Sequence, residues 1–458
     1  MPELLKKRTF VSFPVEDALA FSDRLLAWGA PYEYASFLYS NRDRNSEQNS
    51  PERNGTYDLI AAFGAASILC PVLNPDSFEE LRKYHERISD WIFGHLSYDL
   101  KNQCEGLHSE NFDGLSFPEM HFFQPKYLFL LKERALQVGY LAEFSDEAEI
   151  ENLMAQINGT RFVEIPLKDL VSKKVASAKM EARVSKAEYL QAVNELKEHI
   201  HRGDIYETNF CMEFYSDEVR IDPQSIYVRL NELSQTPFSA YYRIKDRYAF
   251  SASPERFLKK NASMILSQPI KGTIRRGKDE VEDNKLKRFL HQNKKERNEN
   301  VMIVDLVRND LSRSARRGSV RVDELYGIYS FRQVHQMVSS ISAELRPGFH
   351  FTQALKNAFP MGSMTGAPKV KAMELIEEYE KTKRGLYSGA LGYITPDADF
   401  DFNVVIRSIL YNAGSGYLSF MVGSAITNQA DPEQEYEECM LKAKALFETL
   451  SDSYAFAI

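Results

Sequence analysis

Gln268-Pro269-Ile270-Lys271-Gly272-Thr273 sets a single ammonium into a segment that otherwise reads as buried strand. Ser263-Met264-Ile265-Leu266-Ser267, just before it, is apolar and β-compatible, and Gly272-Thr273 lets backbone approach a ligand closely. A primary amine kept from water loses its proton more readily than a surface lysine, and the neutral amine is a nucleophile. The plainer alternative is a lysine lying along a strand edge with its head in solvent. Its neighbours in the chain bear on the choice.

Working outward, Ser185-Lys186-Ala187-Glu188 is a capping box that Leu190, Val193, Leu196 and Ile200 continue as an amphipathic helix, so a unit begins near residue 185. Extended segments follow, one of them closed by an acid in Ser253-Pro254-Glu255-Arg256-Phe257. Strands and long helices then alternate to the end, which predicts a layered α/β (α+β) architecture with neither internal repeat nor Rossmann fingerprint. Upstream, residues 41–54 read as a mobile polar loop and the uncharged run 59–73 as core, too short to span a bilayer. An acidic stretch at 143–151 and a Lys/Ala/Ser-rich one at 168–183 mark a boundary, dividing an amino-terminal region, 1–170, from a catalytic region, 185–452.

With 458 residues, 43% hydrophobic and 27% charged, the chain has the composition of a globular protein. Its first residues carry no apolar export segment, and its four cysteines show no disulfide or zinc spacing, which points to the cytoplasm. A net charge of −8 argues against a nucleic-acid partner, so an anionic ligand must meet locally clustered cations.

Several charges are out of place. Val301-Met302-Ile303-Val304 lies mid-helix in 294–317 and must be buried, yet Glu299 precedes it and Asp305, Arg308, Asn309 and Asp310 follow. The Asp305 to Arg308 spacing fits a helical pair; Glu299 fits either a cation partner or a metal. A last helix opens at Asp431-Pro432-Glu433-Gln434 and carries Glu438 and Lys442 four apart, as an ion pair or with both directed into a site. Met361-Gly362-Ser363-Met364-Thr365-Gly366-Ala367-Pro368-Lys369 and Gly423-Ser424-Ala425 are plain caps or anion cradles, and His335 alternates with apolar residues as a core histidine or a catalyst.

Taken together, Pro269 to Thr273, Glu299 with Val304-Asp305-Leu306-Val307-Arg308-Asn309-Asp310-Leu311, the glycine-rich turn, Ser388-Gly389-Ala390-Leu391-Gly392-Tyr393 and Ile406-Arg407-Ser408 resemble the chorismate-utilising enzymes. The match covers about 185–452, and Tyr98-Asp99-Leu100-Lys101-Asn102 with Glu105-Gly106-Leu107-His108 extends it upstream. Lysine at 271 is similar to the aminodeoxychorismate synthase branch of that family. The resemblance implies a two-layered antiparallel β-sheet sandwich flanked by helices. It also implies Mg²⁺ on Glu299 and Glu438, and Lys271 adding to C2 of chorismate before ammonia attacks C4. Glu255 would be the acid/base at the departing C4 oxygen with His335 supporting it, while Arg407 and Tyr387 hold the enolpyruvyl carboxylate. Lys442 and the backbone around Gly423, Thr365 and Gly366 would meet the remaining charge, and a separate glutamine amidotransferase would deliver the ammonia for folate synthesis. Other chorismate enzymes, anthranilate or isochorismate synthase, and a non-catalytic ligand-binding paralogue are the alternatives. Two departures from the family pattern stand out: Ser424-Ala425 replaces two glycines and is expected to crowd the carboxylate cradle, and Glu207 replaces a glutamine, where a carboxylate repels substrate unless it is protonated or paired.

Overall fold

Along strand Leu59–Leu69, Ile60 and Ala62 enter one hydrophobic core while Leu59, Ala61 and Phe63 enter another. A strand covered on both faces reads as a continuous apolar run, which is why residues 59–69 show no polar alternation. The computed structural model describes residues 8–41, 56–72, 76–161, 180–332 and 334–450. Within them twenty strands form one hydrogen-bonded sheet system whose strand pairs are all antiparallel. Two apolar cores lie against it, and helices cover it. This is the expected antiparallel, layered, helix-flanked architecture.

The amino-terminal and carboxy-terminal regions share that sheet. Strand Tyr34–Tyr39 pairs with Phe238–Ile244, and Ile92–Leu96 pairs with Ala390–Ile394. Residues 42–54 of the expected mobile loop and 168–179 of the expected boundary lie outside the described residues. The predicted helix starts are present: Ser185 and Glu188 form a reciprocal capping box, and Asp431 accepts from the Gln434 amide at 3.0 Å. The helix expected over 294–317 runs Lys294–Ser312, and Asp305 pairs with Arg308 at 2.7 Å on its exposed side. All four cysteines are free thiols. No helix among the described residues is long and apolar enough to cross a membrane.

Candidate active site

Strand Ile270–Arg275 pairs with Val334–Glu344, and the register slips between Ile270 and Thr273. An extra residue in one strand re-aims side chains. Gly272 takes up the distortion at φ +93°, where a Cβ would also sit 3.0 Å from Glu296 Oε2. Lys271, at the distorted position, lines a cavity of about 510 Å³, a size suited to a small ligand.

Three elements complete the wall. Helix Lys294–Ser312 presents Glu296 and Glu299, one turn apart, and helix Pro432–Leu450 presents Glu438, Leu441, Lys442 and Ala445 on one face. The connection between strands Arg247–Ser253 and Arg256–Asn261 supplies Glu255, which is buried and accepts a hydrogen bond from Ser363 Oγ at 2.6 Å. Tyr387, Arg407 and Gly423 also border the cavity. Eight of the residues singled out in the sequence therefore meet in one place: Lys271, Glu255, Glu299, Glu438, Tyr387, Arg407, Gly423 and Lys442.

The charges there are poised rather than neutralised. Burial pushes Glu255 up to about 7, against the Ser363 hydrogen bond that lowers it. Burial likewise pushes Glu299 up to about 7, and its Oε1 is buried with no hydrogen-bond partner. Glu438 is held below the ordinary carboxylate range by Lys442, whose Nζ lies 2.6 Å from it and donates to Gly423 O at 2.8 Å. Arg407 is held at φ +52°, a conformation that costs a non-glycine residue roughly 1–3 kcal/mol. Burial lowers its pKa, and no hydrogen bond or ion pair engages its guanidinium among the described residues. A strained, half-buried, uncommitted guanidinium is a receptor for an anion.

Three expectations need correction, and one open reading is decided. Lys271 is not a neutral amine in the ligand-free protein: burial pulls its pKa down, but Glu207, Glu299 and Glu438 outweigh burial and keep it an ammonium. Its Nζ donates to Glu207 Oε1 at 2.8 Å, so of the two expected states of Glu207 the paired one holds, and it does not repel what enters the cavity. His335 does not reach Glu255. Strand alternation turns it to the opposite face, where its ring nitrogens lie 2.9 Å from Asp283 Oδ1 and 2.8 Å from Ser330 Oγ. The neighbours Val334 and Gln336 face the cavity instead. Thr365 and Gly366 are inside the wall. The Asn209 amide donates to Thr365 O at 2.7 Å, and Gly366 pairs with Thr208 so closely that a Cβ would stand 2.1 Å from Glu207 O. Ser363 and Met364 line the cavity in their stead.

The substituted glycines also resolve. Ser424 turns away from the cavity to meet Tyr189 OH at 2.8 Å, leaving Gly423 and the small Ala425 facing inward. Glu296, Gln336, Ser363 and Asn209 are cavity residues that sequence reasoning missed. Only Glu296, one turn before Glu299, carried a readable signal.

Residues 34–448 match the chorismate binding enzyme family. The chain is 33% identical over 356 residues to aminodeoxychorismate synthase component 1 of Bacillus subtilis, covering 77% of this chain and 75% of the relative. It is 32% identical over 360 residues to anthranilate synthase component 1 of Thermus thermophilus, covering 78% and 77%. The crystal structure of anthranilate synthase component I from Streptococcus pneumoniae superposes with a TM-score of 0.72 at 24% identity, covering 88% of this chain and 94% of that one. With the motifs gathered around one cavity and the match spanning most of its length, the chain belongs to the chorismate binding enzyme family.

Proposed function

We propose that the protein aminates chorismate at C4 to 4-amino-4-deoxychorismate, acting as an aminodeoxychorismate synthase component I with ammonia from a glutamine amidotransferase partner. One observation carries this reading: an amine at a strand bulge, Lys271, stands in a cavity with two acids from different helices, Glu299 and Glu438. Arg407 and Tyr387 receive the enolpyruvyl carboxylate, and Lys442 adds positive charge beside Gly423. Lys271 gives its proton to Glu207, the base already bonded to it, and its lone pair forms the bond to C2. The C4 oxygen leaves with the proton of Glu255. Ammonia then bonds to C4 as the bond from C2 to Lys271 breaks; Glu207 returns its proton to the freed amine, and the new C4 ammonium gives one proton back to Glu255.

Glu299 and Glu438 suit Mg²⁺: the buried Glu299 Oε1 has no hydrogen bond and only a distant ion-pair partner, Lys295 Nζ at 3.9 Å, which leaves it a donor for a hard cation. Two carboxylates leave an ion held between them with coordination positions for substrate oxygens and water. Bound there, Mg²⁺ would supply positive charge at the ring carboxylate.

Incubating the purified protein with chorismate, Mg²⁺ and an ammonium salt, then separating the products, tests the assignment. 4-Amino-4-deoxychorismate is expected; anthranilate as the main product overturns it in favour of the reaction named for the Thermus relative. The Glu255 value sets a pH dependence. Its acid form is the working one, so at saturating free ammonia turnover is expected to fall above pH about 7. Glu255→Gln is expected to be slow, with that limb gone; an unchanged limb assigns it to another group.

A further inference from the structure

Glu299 and Glu438 each have a lysine four residues away on their own helix, Lys295 and Lys442. That spacing brings the two side chains of a pair onto one helix face. Lys442 closes on Glu438 at 2.6 Å and is anchored by Gly423 O at 2.8 Å. Lys295 does not close on Glu299: its Nζ stops 3.9 Å from Oε1, which has no hydrogen bond. It donates instead to Glu435 Oε1 at 3.0 Å, across to the other helix. Glu435 stands one turn before Glu438 and is 2% exposed, and neither it nor Lys295 is among the residues that line the cavity. Lys295 lies in the first turn of its helix, where the unsatisfied N–H groups carry partial positive charge, so the helix itself gains nothing from a cation there.

We propose that Glu435 is a positioning residue: it holds Lys295 off Glu299 and so keeps the Glu299 oxygen open for a divalent cation. The inference rests on the metal reading of Glu299 and Glu438, and it adds what prevents the protein's own ammonium from taking the place of the ion. With the Glu435 carboxylate out of reach, the flexible four-carbon stem of Lys295 lets its head swing to Glu299, the partner that helix spacing offers it. An ammonium paired there neutralises the oxygen and repels a second cation.

Titration of MgCl₂ into the purified protein at one pH and ionic strength, followed by heat and by melting temperature, tests this without turnover. Glu435→Asp keeps the charge but withdraws it from Lys295 by one methylene, and its Mg²⁺ affinity is expected to fall about tenfold. Adding Lys295→Met to that variant is expected to restore the wild-type affinity. The gain from Lys295→Met should be about fivefold larger in the Glu435→Asp background than in the wild type, the coupling expected of two residues in contact. Should Glu435→Asp not fold, the nearly isosteric Glu435→Gln takes its place with the same expectations. Equal gains in both backgrounds make the lysine a general charge, and an affinity that stays low in the double variant means that Glu435 acts on the ion itself. Either result overturns the proposal, as does a Glu435→Asp variant of undiminished affinity. A wild type indifferent to Mg²⁺ refutes the metal reading itself; a wild type that binds it beside variants that all bind alike refutes only the restraint on Lys295.

Discussion

Replacing Lys271 by alanine is expected to lower ammonia-dependent turnover by about 10³-fold or more, the loss typical when a covalent nucleophile is removed. The variant carries a second effect that must be separated from the first. Glu207 is buried, one of its oxygens is bonded only to Lys271 Nζ at 2.8 Å, and the other has no partner. Taking the lysine away leaves an unpaired buried carboxylate, which costs about 3–5 kcal/mol. Lys271→Ala is therefore expected to melt at a lower temperature as well as to turn over slowly. The double variant Lys271→Ala/Glu207→Gln removes the stranded charge and is expected to recover the melting temperature without recovering turnover. Full activity in the single variant excludes the covalent route. Activity restored in the double variant reduces the lysine to a counter-ion for Glu207.

Much of this was legible in the chain because burial leaves a signature in residue type. Continuous apolar strands, the Ser185 capping box and the Asp431 helix start are local signals, and each is present where the sequence places it. The misplaced charges Lys271, Glu299 and Glu438 were readable for the same reason, since a charge inside an apolar pattern has to be explained. What stayed hidden depends on phase and on partners distant in sequence. Alternation along Val334–Glu344 gives a period of two but not which set faces the cavity, so the sequence alone leaves His335 and Gln336 interchangeable and only the sheet's packing separates them. Gly366 looks like an anion cradle in the sequence, but its missing side chain serves the close approach of strand Glu207–Ser216, where it pairs with Thr208 far away in the chain. The Lys271 ammonium is a sum over carboxylates from three separate elements, and no window of sequence contains that sum.

Metal binding at Glu299 and Glu438 is expected to show first as a pH-dependent change in stability. Glu299 and Glu255 each stand at about 7 in the folded protein against an ordinary value of 4.5, because burial penalises their charged forms. A folded pKa above the unfolded one means that the native state holds protons the unfolded chain releases. The stabilisation is complete below pH about 4.5 and is lost as pH rises through about 7. The metal-free protein is thus expected to melt at progressively lower temperature as pH is raised across that window. Mg²⁺ held by the ionised carboxylates, as proposed, is expected to stabilise the fold increasingly over the same window, through mass action on the folded state alone. Glu299→Gln has no carboxylate to ionise or to offer: its melting temperature should depend less on pH and respond little to Mg²⁺. Turnover in that variant is expected to fall by about 10²-fold or more, the consequence of losing several kcal/mol of charge stabilisation. Chelation of the wild type by EDTA should stop turnover and added Mg²⁺ restore it. A wild-type melting temperature indifferent to Mg²⁺ at every pH, together with undiminished turnover in EDTA, would remove the metal from Glu299 and leave its carboxylate to be met by Lys295, Lys271 or substrate.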